Sequence, residues 1–304
     1  MSFWRSFSIS ISLVIALCCG SLAQASLACY QTFSESAEFI YDRVYIQFYG
    51  LEEMGNYLDK IVPVLESADY ELTQIGESIE GRPLHKIAPK KIIEGKKTIV
   101  LLSRQHGDEG TANWILEGFL NDFFARGLHE EYQLIVYPMI NPDGVVARTR
   151  ENANGWDLNR VWNVNGIGRD EIRYIHGDFK EMMDIVGNDV LVVQDLHGSF
   201  VRDFIYRVGE NFKGPDFFAE QGRFIESYGT RDQWQAGESD ISNGRPGMAR
   251  IVMISQYGLN AMTHETPRDI RLSTGRTKET LMSQGVAILD TILAEYGDSG
   301  IILQ

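Results

Sequence analysis

The stretch KTIVLLS at residues 97–103, followed by RQHGDEG at residues 104–110, decides the fold. A short and almost wholly apolar run is typical of a strand that is buried on both faces, as the central strands of a parallel sheet are. Residues 111–125 then place apolar side chains at helical spacing, so a helix is predicted after the loop. Comparable apolar runs predict three further core strands, at residues 132–140, 189–195 and 259–263.

Other segments supply the layers around these strands. Residues 51–66 and 277–296 each carry apolar side chains on one helical stripe, and residues 71–76 and 84–87 are predicted to pair as a hairpin. Strands that alternate with helices predict an α/β fold, with a mixed, largely parallel central sheet, helices on both faces and a single domain. In such sheets ligands bind beyond the carboxyl ends of the strands. The chemistry is therefore expected just after each apolar run.

The composition limits the classes of partner. The 304 residues include 28 Lys+Arg and 42 Asp+Glu, a formal net charge of −14, and 44% of them are hydrophobic. This mix is globular. The acidity argues against a nucleic-acid-binding protein, which needs a basic surface, and the three Cys exclude a disulfide scaffold.

The N-terminus is predicted to be a secretory signal peptide. Arg5 precedes an apolar stretch at residues 9–22, and a small-x-small cleavage site ends at Ala25. A single membrane anchor is the alternative, but the apolar run is too short and too rich in Ser and Gly to span well. The mature protein is expected to be secreted or periplasmic, with no stable membrane insertion.

The chain is accordingly divided into three parts. Residues 1–25 are expected to form the signal peptide, residues 26–50 a lead-in segment of uncertain structure, and residues 51–304 the single α/β domain in which the chemistry is sought. Cys29 lies in the lead-in segment just past the expected cut. Lipid attachment at Cys29 is an alternative to an unmodified thiol.

Two histidines and several carboxylates follow the predicted core strands. His106 and Glu109 lie three residues apart after the first strand, His197 follows the third and Glu265 the fourth. Two imidazoles and one carboxylate, with a fourth position open, are a common ligand set of catalytic zinc. Calcium and magnesium prefer oxygen ligands alone. His176 follows no predicted strand and is interpreted as a loop residue.

Taken together, the motifs resemble the zinc metallocarboxypeptidases of the carboxypeptidase A type. They occur in the family's order as IGESIEGR at 75–82, His106-x-x-Glu109, NPDG at 141–144, RENANGWDLNR at 150–160, DLHG at 195–198 and THE at 263–265. The HGDE string and residues 150–160 are most similar to bacterial murein peptide amidases. The resemblance implies the zinc carboxypeptidase fold and one zinc ion per chain.

The resemblance also implies a catalytic role for several residues. His106, Glu109 and His197 would hold zinc, which polarises the scissile carbonyl and lowers the pKa of its bound water. Glu265 would be the general base and then the general acid. Arg150 would stabilise the developing oxyanion.

Four further residues are assigned to the substrate or to the ligands. Asn159 and Arg160 would clamp a substrate carboxylate, and Asp157 would accept a hydrogen bond from His106 and fix its tautomer. Arg250, fifteen positions before the expected base, corresponds to the specificity residue of the digestive enzymes, although an alignment shifted by one residue places Ala249 there instead. A guanidinium there would favour an acidic side chain or a second carboxylate.

The chain departs from the digestive carboxypeptidases in two places. Those enzymes have an Arg between the His and Glu of the metal motif, whereas this chain has Asp108, which predicts a substrate amine or a different substrate length at that point. They also carry a mobile tyrosine some twenty residues before the base. Residues 242–250 contain no Tyr, and Tyr228 and Tyr257 flank that region at the wrong distances.

The sequence predicts a secreted zinc carboxypeptidase that acts on a peptide or muropeptide with a free carboxylate. The substrate would be a peptidoglycan stem peptide, cut near γ-D-Glu and diaminopimelate, or a peptide with an acidic C-terminal residue. A general peptide carboxypeptidase is one alternative. A second is an N-acyl amino acid deacylase of the desuccinylase and aspartoacylase kind, although those enzymes lack the NPDG motif. A third is a non-enzymatic binding module, which predicts a missing ligand or base.

Overall fold

The computed structural model describes residues 37–40, 43–235 and 237–297. The predicted signal peptide at residues 1–25 and Cys29 lie outside these residues, so cleavage and lipid attachment stay predictions. Within the described part of the chain, no helix is both long and apolar enough to cross a membrane.

The described residues group into two compact units. The smaller unit comprises the chain up to Gln47 together with Arg271–Thr277. It contains an antiparallel hairpin of β1 (Ala37–Ile40) and β2 (Arg43–Ile46). This hairpin lies within the segment for which the sequence predicts no definite structure.

The larger unit comprises Phe48–Ile270 and the chain from Lys278 onward. It holds an eight-stranded sheet whose strands, in spatial order, are β3 (Tyr70–Glu77), β4 (Pro83–Pro89), β6 (Gln133–Tyr137), β5 (Thr98–Ser103), β7 (Val190–Ser199), β10 (Ala261–Pro267), β8 (Phe204–Arg207) and β9 (Ser239–Ile241). Strands β6, β5, β7 and β10 run parallel, whereas β4 is antiparallel to β6 and β8 is antiparallel to β10. The predicted mixed sheet with a parallel centre is confirmed.

The helices pack on both sides of this sheet. In chain order they are α1 (Leu51–Ser67), α2 (Thr111–Ala125), α3 (Pro142–Ala147), α4 (Glu171–Val186), α5 (Glu210–Lys213), α6 (Pro215–Gly229), α7 (Ala249–Tyr257) and α8 (Lys278–Tyr296). Val100 and Leu102 of β5 pack in one core with residues of α4 and α7. Ile99 and Leu101 point to the opposite face of β5 and are also fully buried, and α2 packs against β5, β7 and β10.

Helix α4 corrects the interpretation of His176. This residue lies within α4 and is fully buried, so it is not a loop residue. Its Nδ1 lies 3.0 Å from the carbonyl oxygen of Trp162, and its Nε2 lies 2.7 Å from the hydroxyl of Tyr257. His176 therefore satisfies buried polar atoms of the core.

Two core strands extend further than their apolar runs. β7 continues to Ser199 and β10 to Pro267, so His197 and Glu265 lie inside the strands and not after them. The two residues are paired directly across the parallel ladder. Because each polar residue has a backbone partner in the other strand, the ladder does not end where the apolar sequence ends.

Helices α2 and α8 are in close contact at Gly118, and a substitution at this residue tests the contact. A Cβ on Gly118 would lie 2.0 Å from the carbonyl oxygen of Met282. We expect Gly118→Ala to reduce the free energy of unfolding by about 1–3 kcal/mol, because the helices must separate. Thermal denaturation should show a melting temperature several degrees lower.

The matched control is Gly55→Ala in the interior of α1, where no heavy atom lies within 4 Å of the added Cβ. That change should stabilise the protein by up to about 1 kcal/mol, since alanine has the higher helix propensity. A Gly118→Ala protein that melts at or above the wild-type temperature would contradict the close crossing.

Candidate metal centre and active site

The centre of the site is a set of three buried side chains, His106, Glu109 and His197. The Nδ1 atoms of His106 and His197 are 3.0 Å apart. One carboxylate oxygen of Glu109 lies 2.8 Å from Nδ1 of His106, and the other lies 3.0 Å from Nδ1 of His197. Two imidazole nitrogens and a carboxylate therefore converge on one point.

The protonation of His106 is determined by its neighbours. Nη1 of Arg150, which can only donate, lies 3.2 Å from Nδ1 of His106. On the other side of the ring, Nε2 lies 3.0 Å from a carboxylate oxygen of Asp157. We infer that Nε2 carries the proton and donates it to Asp157, so that the lone pair of Nδ1 faces the centre. This arrangement agrees with the hydrogen bond predicted between these two residues.

A second buried carboxylate lies behind His197. Nε2 of His197 is 3.0 Å from Asp195, which is also buried. The other oxygen of Asp195 accepts a hydrogen bond of 2.7 Å from Gln105, whose amide oxygen accepts one from the indole of Trp162. The sequence analysis assigns no role to Asp195. Its position two residues before His197 would have indicated one, because residues two apart on a strand point to the same face.

Arg104 stabilises the turn that carries His106. The guanidinium of Arg104 is fully buried and donates to the carbonyl oxygens of Gly107 and Tyr49 and to the side chain of Asn113. Position 107 has no room for a side chain, since a Cβ there would lie 1.9 Å from the carbonyl carbon of Gly144. The close approach brings the metal-motif turn against the start of α3.

The NPDG motif and the turn that contains Ser78 tether this region through hydrogen bonds. Asn141, the N-cap of α3, accepts from Gly144 and donates to the carbonyl oxygens of Gln105 and Arg150. Asp143 accepts from the hydroxyl of Ser78, and its carboxylate also pairs with a guanidinium of the β3–β4 turn. These bonds tie the loop of Arg150 to the turn of His106.

The donor set fits zinc. Burial alone would raise the pKa of Glu109, but the imidazoles of His106 and His197 outweigh it and hold that pKa well below its ordinary value. Glu109 is therefore an anion. Two imidazole nitrogens and a carboxylate that meet at about 3 Å need a proton or a metal cation between them, and nitrogen with oxygen ligands suits zinc.

Glu265 lies beside this centre on β10. It is paired with His197 of β7 on one side and with Phe204 of β8 on the other. Burial raises the pKa of Glu265 to about 7, although the nearby imidazoles act to lower it. A carboxyl group whose pKa lies near neutrality is well suited to take up and release a proton.

These residues line a single pocket with a volume of about 580 Å³. Five arginines contribute to its wall: Arg150, Arg160, Arg202, Arg245 and Arg250. The acidic side chains of the lining are Glu109, Glu265 and Asp240. Although the whole chain is acidic, this pocket is predominantly basic.

The structure brings all nine sequence-predicted site residues together. His106, Glu109, Arg150, Asn159, Arg160, Arg250 and Glu265 line the pocket. Asp157 and His197 each lie 3.0 Å from His106. Their roles in binding and catalysis stay predictions.

The structure adds a tyrosine that sequence reasoning missed. Tyr206 of β8 lines the pocket, whereas Tyr228 and Tyr257 are bonded to Asp232 and His176 elsewhere in the fold. A four-residue strand gives too weak a periodic signal to place Tyr206 from the sequence.

Asp195 is expected to tune the metal centre through His197. We expect Asp195→Asn to weaken zinc binding about 10- to 100-fold, as is typical when the partner of a metal-binding histidine is changed. Competition with a chromophoric chelator measures this. Asp240→Asn is the matched control, because Asp240 lies in the same pocket but pairs with Arg202 at the surface. Equal zinc affinity in the two variants would exclude the assigned role of Asp195.

Comparison with known proteins agrees with this geometry. Residues 65–178 match the family model described as zinc carboxypeptidase. Human cytosolic carboxypeptidase 2 is 28% identical over 217 residues, which cover 65% of this chain and 24% of that protein. An uncharacterized protein of Zymomonas mobilis is 28% identical over 243 residues, 73% of this chain and 60% of the relative. The chain thus spans less than two thirds of the length of these relatives.

Solved structures share the fold. A metallo-carboxypeptidase from Burkholderia cenocepacia superposes with a TM-score of 0.66 at 22% identity, over 81% of this chain and 69% of that one. A metallo-carboxypeptidase from Pseudomonas aeruginosa, in complex with (2-guanidinoethylmercapto)succinic acid, gives 0.67 at 20% identity, over 86% and 80%. Residues 65–178 are thus similar to the zinc carboxypeptidase family in sequence, and the chain shares the fold of metallo-carboxypeptidases of known structure.

Proposed function

We propose that this protein is a zinc-dependent metallocarboxypeptidase, a hydrolase that releases a residue from the carboxyl end of a peptide. The observation that carries the proposal is the placement of Glu265 in register with His197, directly beside the buried ligand set. One zinc ion per chain, held by His106, Glu109 and His197, would polarise the scissile carbonyl and lower the pKa of a bound water.

Glu265 then performs the proton transfers. As a carboxylate it takes a proton from the attacking water, and as a carboxylic acid it gives that proton to the departing amine. Its burial raises its pKa to about 7, so both forms are accessible near neutral pH. The residue needs no movement between the two steps, because β7 and β8 hold β10 on both sides.

Arg150 supplies a fixed positive charge at the reacting carbonyl. Its Nε and Nη2 donate to one oxygen of Asp157 at 3.0 and 2.8 Å, and its Nη1 lies 3.6 Å from the Glu109 carboxylate. The guanidinium is therefore oriented toward the metal centre before substrate arrives. Donors placed in advance stabilise a developing oxyanion without reorganisation.

Arg160 is the group we assign to the terminal carboxylate of the substrate. It is partly exposed and lines the pocket; its Nη1 donates to the carbonyl oxygen of Asn159 and lies 3.9 Å from the Asp157 carboxylate. The amide oxygen of Asn159 accepts from the backbone of Ala249, which fixes its side chain at the pocket wall. The planar guanidinium of Arg160 suits a carboxylate.

Arg250 supports a preference for an acidic C-terminal side chain. It is 1% exposed and bonds through both Nη atoms to the carbonyl oxygen of Ser242, so it is not a surface arginine. Among the described residues it has no ion-pair partner, and its Nε has no hydrogen-bond partner. Burial lowers its pKa only to about 10, so it remains a cation at neutral pH. A buried cation without a paired anion is costly, and a substrate carboxylate would supply the anion.

We also propose, from the sequence, that the protein is secreted or periplasmic and that peptidoglycan stem peptides are candidate substrates. The stem peptide carries the free carboxylates that Arg160 and Arg250 require. Asp108 does not support the additional contact with a substrate amine, because its carboxylate pairs with Arg268.

A panel of substrates tests the activity and its specificity together. The zinc-loaded protein is incubated with peptides that differ only at the last residue, with purified muropeptides, and with acetylated and succinylated amino acids. Mass spectrometry identifies the products. Release of C-terminal Glu or Asp in preference to Leu or Lys supports the proposal, whereas cleavage of the acylated amino acids alone would favour a deacylase.

Glu265→Gln is expected to bind zinc as the wild type does but to lose about 10²–10⁴-fold in kcat, because general acid–base catalysis is lost. For the wild type, the ionised fraction of Glu265 falls as the pH falls through its pKa, so kcat/KM should decline on the acid side. A bound cation lowers this pKa, which places the decline at or below about pH 7.

Glu210→Gln is the control for this variant, since Glu210 is exposed on α5 and outside the pocket. Full activity of Glu265→Gln would exclude its role as the base.

Arg250→Met is expected to reduce kcat/KM for a C-terminal Glu substrate about 10- to 150-fold relative to a C-terminal Leu substrate. The estimate corresponds to loss of a charge-assisted hydrogen bond of about 1.5–3 kcal/mol. Arg245→Met, at an exposed arginine of the same pocket, is the matched control. An unchanged Glu-to-Leu ratio in the Arg250 variant would remove the proposed basis of acidic specificity.

A further inference from the structure

The loop at residues 150–157 carries two of the groups that surround the metal centre, and it contains no helix or strand. At its start, the guanidinium of Arg150 donates to one oxygen of Asp157 at 3.0 and 2.8 Å. At its end, the other oxygen of Asp157 lies 3.0 Å from Nε2 of His106. A loop without regular structure holds such groups in place only if contacts from outside fix its shape.

Asn152 organises this loop from within. Its side chain is buried, and its amide oxygen accepts from the backbone amides of Asn154 and Trp156 at 3.1 and 2.9 Å. Its amide nitrogen donates to the carboxylates of Asp170 at 3.2 Å and Glu171 at 2.7 Å. One side chain therefore shapes the loop and attaches it to the start of α4.

Glu171 is a buried carboxyl group that receives only neutral donors. It lies in the first turn of α4 and is 0% exposed, and it forms no ion pair with the residues that the structure describes. Its two oxygens accept from the backbone amide of Ile79 at 3.2 Å and from Asn152 at 2.7 Å. Burial raises the pKa of Glu171, and the carboxylate of Asp143 acts in the same direction. An unpaired buried carboxylate is costly, and such groups are concentrated at functional sites.

The residue before Glu171 has an unfavourable backbone conformation. Asp170 has a φ of +52°, in the left-handed region that residues other than glycine rarely adopt. In this conformation its carboxylate accepts from the amides of Asn152 and Asn154 at 3.2 and 3.4 Å. Backbone strain persists only where the surrounding contacts impose it, and it is concentrated at functional sites. The strain and the buried carboxyl group thus meet at the same contact with the loop.

The group that we assign to the substrate carboxylate is attached to a different helix. Asn159 and Arg160 follow the loop, and the amide oxygen of Asn159 accepts from the backbone of Ala249, the first residue of α7, at 2.9 Å. Loosening of the contact with α4 is therefore expected to displace Arg150 while Arg160 keeps its place.

We propose that Glu171 is a positioning residue for the reaction, because through Asn152 it holds loop 150–157 in the conformation that presents Arg150 to the developing oxyanion. Glu171 does not line the pocket, so its effect is indirect. Helix α4 is a firm support, since the residues that follow, Ile172 and Ile175, are packed in the hydrophobic core. The inference rests on the proposed carboxypeptidase function and goes beyond it by naming what keeps the oxyanion donor in place.

Glu171→Gln leaves one acceptor oxygen for the two donors, Ile79 and Asn152. We expect kcat for the fastest peptide of the panel to fall about 10- to 100-fold, because a displaced oxyanion donor stabilises the transition state less. KM should change by less than about threefold, since an interaction made only in the transition state is lost. Zinc content should equal that of the wild type. Glu181→Gln, at an exposed carboxylate of the same helix, is the matched control and should keep the wild-type kcat.

A reciprocal exchange tests the contact itself. Asn152→Asp places a second carboxylate against Glu171 and should reduce kcat more than Glu171→Gln does. In the double variant Asn152→Asp/Glu171→Gln, the glutamine amide donates to the new carboxylate while its oxygen still accepts from Ile79. The double variant should therefore be more active than Asn152→Asp alone, or should recover folded protein where that single variant does not fold. A double variant less active than either single variant would overturn the contact.

A second pair of variants tests whether Glu171 acts through Arg150. When Arg150→Ala has already removed the oxyanion donor, the further change Glu171→Gln should lower kcat by less than about twofold, because residues that act as a unit are not additive. A loss as large as in the wild-type background would show that Glu171 has a merely structural role. Melting temperatures are measured for all variants, and kcat is compared well below the lowest of them.

The outcomes separate the two proposals. If the wild type cleaves no peptide of the earlier panel, the proposed function fails and this inference fails with it. If the wild type is active and Glu171→Gln keeps its kcat, the positioning role is wrong while the carboxypeptidase function stands.

Discussion

Three lone-pair donors brought together inside the protein are the constraint on which the rest of the site depends. Glu109 and the two imidazoles of His106 and His197 approach within about 3 Å, which requires a proton or a metal cation between them. The surrounding side chains hold the three groups in this arrangement. Asp157 and Asp195 lie behind the two rings, and Arg104 holds the turn of the metal motif from below.

Much of this arrangement can be predicted from the sequence, because the candidate metal ligands and the candidate base lie after or at the end of apolar runs. His106 and Glu109 are predicted as ligands by their combination with His197 after the predicted strands, and the parallel centre of the sheet is predicted by the buried runs at residues 97–103 and 189–195. The limits of prediction are physical. His197 and Glu265 lie inside their strands because each pairs with the other, and no local pattern reports a partner some seventy residues away.

Other features escape prediction for the same reason. Asp108 and Arg268 are separated by 160 positions, so a sequence alone shows an acid where a base is expected and not the arginine that pairs with it. Tyr206 lies on a strand of four residues. The buried stripe of α4, with Ile172, Ile175 and Phe179, is interrupted by charged residues, so the local pattern does not show that His176 is buried in a helix.

The proposed reacting groups and the proposed specificity group lie on different kinds of element. His197 and Glu265 belong to paired central strands, whereas Arg250 lies in the first turn of α7, attached to the site through the backbone of Ala249. Backbone hydrogen bonds of the sheet therefore fix the distance between ligand and base, independently of the side chain on the helix. Exchange of residue 250 is therefore expected to change the proposed substrate preference while the spacing of ligand and base stays constant, so that this preference depends on a single position of a helix.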